Sequence, residues 1–239
     1  MQDIRDIAVI GTGIMGAPMA ARLAEAGFTV RAWNRSAEKA ATLAEKGVRR
    51  AATAIDAAVE ADVVICMLSS GPVCDEVLLG DSGVVSAMKP GSVLLVMSSI
   101  PVDSAREQAQ AARAHGVRYV DAPVSGGEKG AIEGTLAIMA GGEQRDVDAL
   151  RPLLNCLGRL AHVGPVGCGS LAKLANQLIV ASTICAVAEA LTLVEAGEPT
   201  RHRCGRLYSA VLPIPPSFAS TENAWWRAIF APAGRRNIR

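Results

Sequence analysis

Apolar residues in the first two-thirds of the chain fall into short unbroken runs, separated by stretches in which small and apolar residues recur at helical spacing. Residues 7–10, I-A-V-I, are such a run ending at Gly11, as in a strand covered on both faces. Spacing then predicts a helix over 14–26 with Gly27 at its C-terminal cap, a strand over 28–33, and a helix over 37–46 ending at Gly47. A helix near 55–60 and a buried strand over 62–68 follow, then a strand at 92–97, a helix at 104–115 and strands at 119–121 and 136–140. Gly141 and Gly142 turn the chain into a helix near 145–157, and a long helix is expected from about 170 to 196. Strands and helices in strict alternation mean βαβ units, so the class is α/β with a doubly wound, mostly parallel sheet. The long helix reads as the spine of an incomplete all-α C-terminal domain. The expected divisions are 1–165, 166–197 and an irregular tail at 198–239.

Composition narrows the partners. Half of the 239 residues are hydrophobic, a fifth are charged and the formal net charge is +1, so neither nucleic acid nor an anionic membrane is indicated as a partner. A small-molecule ligand is expected instead. Cys66, Cys74, Cys156, Cys168, Cys185 and Cys204 form no C-x-x-C pair, which argues against a metal site or a disulfide framework and for reduced, cytoplasmic thiols. The acidic start, M-Q-D-I-R-D, is unlike a signal peptide. The apolar stretch 178–187, between Lys173 and Glu189, reads as a buried helix too short to span a bilayer.

Gly11-Thr12-Gly13-Ile14-Met15-Gly16 is a G-x-G-x-x-G set between a predicted strand and a predicted helix. In that setting the first glycine permits a tight turn, the second lets backbone approach a pyrophosphate and the third allows close helix-to-strand packing, as in Rossmann-type dinucleotide sites. The alternative is a glycine-rich turn without a ligand. At the end of the second strand, where an acid would hold the ribose hydroxyls of NAD, the chain has Asn34-Arg35-Ser36. With no carboxylate and one guanidinium there, NADP is favoured over NAD. A solvated Arg35 and a helix N-cap at Ser36 remain the other account of the same residues.

Four separated stretches carry a family resemblance: G-T-G-I-M-G-A-P-M-A (11–20), M-S-S-I (97–100), D-A-P-V-S-G-G (121–127) and G-C-G-S-L-A-K-L-A-N-Q (167–177). Together they resemble the β-hydroxyacid dehydrogenase family over residues 6 to about 197, and within it the 3-hydroxyisobutyrate dehydrogenases and, most closely, the tartronate semialdehyde reductases. The resemblance implies hydride transfer between NAD(P)H and a small oxo or hydroxy acid, with Lys173 as the catalytic acid/base. An ordinary amine pKa is too high for that work, so desolvation or a cationic neighbour is required. The resemblance places the acid substrate on Ser125, Gly126 and Gly127, with Asn176 and the weaker Gln177 beside it. Leu68 and Ser69 would line the nicotinamide side and Ser99 would contact the cofactor. His115 and His162 match no role and read as surface histidines.

Two departures stand out. Val96 replaces the Asp common before M-S-S-I, and beyond Gly197 the helical pattern gives way to four prolines between Pro199 and Pro216, clustered Arg, and Trp225-Trp226. A frameshift is the expected account of this tail, since permitted codons for 220–232 read one base out of phase can give a family-like sequence; a genuine divergent ending is the alternative. The family forms homo-oligomers, and a chain with this tail is expected to lose those contacts and to expose apolar surface. The competing reading is therefore a dinucleotide-binding protein with little or no catalysis.

Overall fold

The computed structural model describes residues 4–36, 42–80 and 83–196. Its strands are β1 (Asp6–Ile10), β2 (Thr29–Trp33), β3 (Arg49–Arg50), β4 (Val63–Cys66), β5 (Val93–Val96), β6 (Arg118–Asp121), β7 (Val124–Ser125), β8 (Leu136–Gly141) and β9 (Gly158–Gly164). The helices are α1 (Gly16–Glu25), α2 (Ala54–Ala58), α3 (Gly71–Leu79), α4 (Val84–Ala87), α5 (Val102–Ala114), α6 (Gly127–Glu133), α7 (Gln144–Leu154) and α8 (Cys168–Ala196). The strands form one sheet in the order β3-β2-β1-β4-β5-β6-β8-β7, with β9 paired to β8. From β3 to β6 every pairing is parallel, whereas β8 runs antiparallel to both β6 and β7. This is the Rossmann-type, mostly parallel doubly wound sheet that the alternation predicted.

Both faces of the central strands are covered. Ile7 and Val9 join Met19 and Leu23 of α1 in one core, while Ala8 and Ile10 join Leu78 of α3, Val85 of α4 and Ala105 of α5 in the other. That two-sided burial is why β1, β4 and β5 appear in the sequence as continuous apolar runs. Helix α1 stops where expected: Gly27 takes φ +95°, the Phe28 amide donates to the Leu23 carbonyl at 3.1 Å, and the Gly27 amide donates to Ala24 at 3.0 Å. Helix α2 starts at a complete capping box between Thr53 and Asp56.

Several expectations are revised. Of the helix predicted over 37–46, residues 37–41 lie outside the described residues, and Ala44–Lys46 is a 3-10 turn closed by Gly47 at φ +77°. The tail from 198 also lies outside them. His162 is no free surface histidine, because its ring is half-buried and bonds Gln144 Oε1 at 2.8 Å and the Gly142 and Gly164 carbonyl oxygens at 2.9 Å. His115 is exposed, as expected.

The helix over 170–196 forms, yet its apolar side chains are not buried: Leu178 is 69% and Ile179 65% exposed. Composition supplied the wish for cover without supplying the cover. Cys168–Ala190, the longer helix around that stretch, also has the length and hydropathy of a membrane-crossing helix, by those two measures alone. The chain divides into two compact units, the first Met1–Ala175 and the second beginning at Asn176.

Candidate active site

In a parallel sheet the loops after each strand share one edge, and a ligand crevice opens where the strand order reverses. Here the reversal lies between β1 and β4, since β2 and β3 extend one way from β1, and β4 to β6 the other. The loop Gly11–Gly16 leaves β1 at that point. The Gly11 amide donates to the Trp33 carbonyl at the end of β2 at 2.8 Å, and a Cβ on Gly11 would lie 2.3 Å from the Met67 carbonyl oxygen just beyond β4. A Cβ on Gly16 would lie 1.9 Å from the Gly11 carbonyl oxygen, so only glycine lets α1 begin this close to its own strand. A Cβ on Gly13 would meet no atom within 4 Å. The first and third glycines are thus needed by the protein's own packing, while the second leaves its backbone open to an incoming group.

Two observations show that this loop fits a dinucleotide. The Thr12 side chain is buried, yet its Oγ1 has no hydrogen-bond partner among the described residues. Ile14, next to the open Gly13, is 70% exposed, and α1 begins within two residues of it with no side-chain cap on its first amides. An orphaned hydroxyl and uncapped helix-start amides are what a pyrophosphate would satisfy. Asn34 is not spare for the ribose: its Oδ1 accepts from the Thr12 amide at 3.1 Å and its Nδ2 donates to the Ser36 carbonyl at 3.1 Å. Arg35 and Ser36 are exposed beside it. The helix that Ser36 would cap falls on residues outside those described.

The next loops are held by a serine that the sequence did not single out. Ser98 is buried; its Oγ accepts from the Leu68 amide at 2.8 Å and reaches the Cys66 carbonyl oxygen at 3.3 Å, joining the ends of β4 and β5. Of the two serines in M-S-S-I, Ser98 is therefore the internal fastener and Ser99 the exposed one. Leu68 and Ser69 lie beyond β4, in the loop rather than at the strand's end. Beneath them the Cys66 and Cys74 thiols lie buried 3.7 Å apart, and the hydrogen bond to Cys74, together with burial, holds the Cys66 thiol far above its usual range.

Beyond β6 the D-A-P-V-S-G-G segment turns. Gly126 takes φ +136° and Gly127 φ +63°, two consecutive values that side-chain-bearing residues rarely adopt, and α6 starts there with Ser125 half-buried before it. Asp121, the last residue of β6, is fully buried. Its Oδ1 accepts from the Gly167 amide and its Oδ2 from the Ser170 amide, both at 2.8 Å, so the start of α8 is fastened to the carboxyl end of the sheet. Lys173 follows three residues after Ser170 and is half-buried, and burial lowers its pKa below the ordinary 10.5. Desolvation is the cause of that shift.

Asn176 and Gln177 belong to the second unit; Asn176 is half-buried with Oδ1 unpartnered among the described residues, and Gln177 is exposed. Among the described residues no cluster of His, Cys, Asp and Glu suits a metal ion. A cavity of about 650 Å³, lined by Arg106, Arg113 and Arg118 among others, shares none of the residues predicted for cofactor or substrate.

The family model described as the NAD binding domain of 6-phosphogluconate dehydrogenase matches residues 6–168, most of the chain. The chain is 39% identical over 191 residues to the NAD-dependent L-serine dehydrogenase of Pseudomonas aeruginosa, and 40% over 190 residues to a probable 3-hydroxyisobutyrate dehydrogenase of Mycobacterium tuberculosis. It belongs to the β-hydroxyacid dehydrogenase family. The alignments cover 80% and 79% of this chain, which spans 64% of the length of either curated relative. Among solved structures of the family, the Mycobacterium tuberculosis 3-hydroxyisobutyrate dehydrogenase with L-serine is similar at TM-score 0.80 and 35% identity, over 93% of this chain and 73% of that one. The resemblance first seen in four motifs thus extends to the fold that carries them.

Proposed function

We propose that this β-hydroxyacid dehydrogenase family member catalyses reversible hydride transfer between a nicotinamide cofactor and a small oxo or hydroxy acid, with Lys173 as acid/base. The observation that carries this reading is the partly desolvated Lys173, its pKa lowered, on a helix fastened to the same sheet edge that bears the glycine loop. The Gly11–Gly16 loop holds the pyrophosphate, with Thr12 Oγ1 and the α1 amides as donors. When bound, the nicotinamide supplies or accepts the hydride at the carbonyl carbon. Lys173 Nζ gives its proton to the carbonyl oxygen during reduction and takes it back during oxidation. Ser125 and the Gly126 and Gly127 amides hold the carboxylate. Leu68, Ser69 and Ser99 face the cofactor.

Arg35 and the absence of a carboxylate at the end of β2 favour NADP over NAD. Tartronate semialdehyde is the preferred oxo acid by its likeness in K-L-A-N-Q, while the names of the two curated relatives favour L-serine and 3-hydroxyisobutyrate. The test is turnover of tartronate semialdehyde, methylmalonate semialdehyde, succinic semialdehyde and glyoxylate with NADPH and NADH, and of L-serine with NADP+ and NAD+. Lys173→Ala is run in parallel. Turnover in the parent and its loss, by roughly a thousandfold or more, in Lys173→Ala is expected from removing the acid/base.

The break in the family's helical pattern after Gly197 motivates a second reading, a dinucleotide-binding chain without catalysis. Cofactor binding with no turnover of any of these acids favours it.

A further inference from the structure

We propose that Asp121 is the positioning residue for Lys173, a step that rests on the catalytic reading of Lys173 given above. A carboxylate buried at the end of a sheet strand is costly unless its oxygens are hydrogen-bonded. Burial does raise the Asp121 pKa, and the Gly167 and Ser170 amides work against that rise. The compensation is specific, because each oxygen takes one backbone N–H, from residues 46 and 49 positions further along the chain.

The first amides of a helix have no partner within it, and a serine or aspartate just before the helix ordinarily supplies one. Gly167, which precedes α8, has no side chain to do so. The capping acceptor comes instead from β6. A local cap would satisfy the same donors and leave the helix free to shift against the sheet, whereas Asp121 caps the helix and fixes it in place. The approach is close: a Cβ on Gly169 would lie 2.4 Å from the Asp121 carbonyl oxygen, and one on Gly141 would lie 2.7 Å from Asp121 Oδ1.

The next turn is only partly packed, with Ala172 and Lys173 half-buried. Leu171 and Leu174, which flank Lys173, are 56% and 53% exposed. Lys173 lies about 4.5 Å along the helix axis from Ser170, less than one turn, so a displacement at the tether carries over to the backbone from which its side chain extends.

The experiment uses the full chain with Asp121→Asn, which keeps one acceptor oxygen and turns an NH2 group towards the other amide. Hydrogen exchange in the peptide 167–173 is expected to accelerate about tenfold or more. Turnover is measured with L-serine and the acids named above, and kcat is normalised to cofactor-binding sites titrated by nicotinamide fluorescence. It is expected to fall roughly ten- to hundredfold while KM for the cofactor stays within about twofold. The cofactor loop hangs on Trp33, Asn34 and the close approach of Met67, with Ser98 fastening the loop beside it, and none of these bonds Asp121. Unchanged exchange, an unchanged kcat per site, or an equal loss of cofactor affinity and kcat overturns the proposal.

Should Asp121→Asn fail to fold, Asp121→Glu keeps the charge and both acceptors on a longer stem, and the same fall in kcat at unchanged cofactor KM is expected. A parental kcat in that variant also overturns it. Lys173→Ala separates the two levels. Turnover surviving there removes the catalytic reading itself, whereas turnover abolished there but intact in the Asp121 variants removes only the tether.

Discussion

The Thr12 amide donates to Asn34 Oδ1 at 3.1 Å, so the residue at the end of β2 that faces the ribose in dinucleotide folds is also the one that holds the glycine loop. The Asn34 amide group is used from both ends, because its Nδ2 donates to Ser36 O. A carboxylate at this position keeps the first bond and loses the second.

Asn34→Asp therefore retains the loop and places a negative charge where a 2′-phosphate would sit. At about 4 Å, like charges at a protein surface repel by roughly 1–4 kcal/mol, depending on the local dielectric. The expected result is a fall of about tenfold or more in the ratio of kcat/KM for NADPH to that for NADH, with a melting temperature close to the parent's. Steady-state kinetics with both cofactors check this, and an unchanged ratio places the 2′-position away from Asn34.

Lys173 yields a stability prediction whose sign runs opposite to a salt bridge's. Burial lowers its pKa in the folded protein below the ordinary 10.5, so the unfolded chain binds the proton more tightly. The resulting destabilisation is fully present below the folded pKa and fades as pH rises from there to about 10.5. Lys173→Met, which fills similar space without the charge, is expected to raise the melting temperature at pH 7, with the gain shrinking as pH climbs towards 10.5 and absent above it. Thermal melts across that range decide it. A variant that melts lower at pH 7 means the ammonium has a stabilising partner and is not poised by desolvation. In reduction assays the same lowered pKa puts the alkaline fall in kcat, where the proton donor is lost, below the pH of an ordinary lysine.

The sequence displays these features unevenly, for physical reasons. Strands β1, β4 and β5 are legible because both their faces are covered, and α1 because Gly27 ends it at a positive φ. Helix α3 is not, because it opens with Gly71 and Pro72, which resemble a turn although proline is well suited to a helix's first positions. Strand β9 alternates half-buried and exposed residues and carries two glycines, a weak pattern for a strand. The choice between Ser98 and Ser99 depends on which of two adjacent side chains turns inward past the end of β5, a matter of strand register. Asp121 sits inside a recognised motif, but its partners are remote in sequence and only the fold brings them to it.

The exposed face of α8 sets the last prediction. Leu178 and Ile179 present their side chains to solvent, at 69% and 65% exposure, on a helix whose apolar composition suggested a core. Two such neighbours on a long apolar helix form a patch that promotes association. Replacing them removes apolar surface from water and breaks no packing, so Leu178→Glu with Ile179→Lys costs little stability. Sedimentation and size-exclusion chromatography are expected to show more soluble, monodisperse protein for the double variant, with its melting temperature within about 2 °C of the parent's. A drop of 10 °C or more, roughly what losing a few kcal/mol does to a domain of this size, would show instead that another surface covers these side chains in solution.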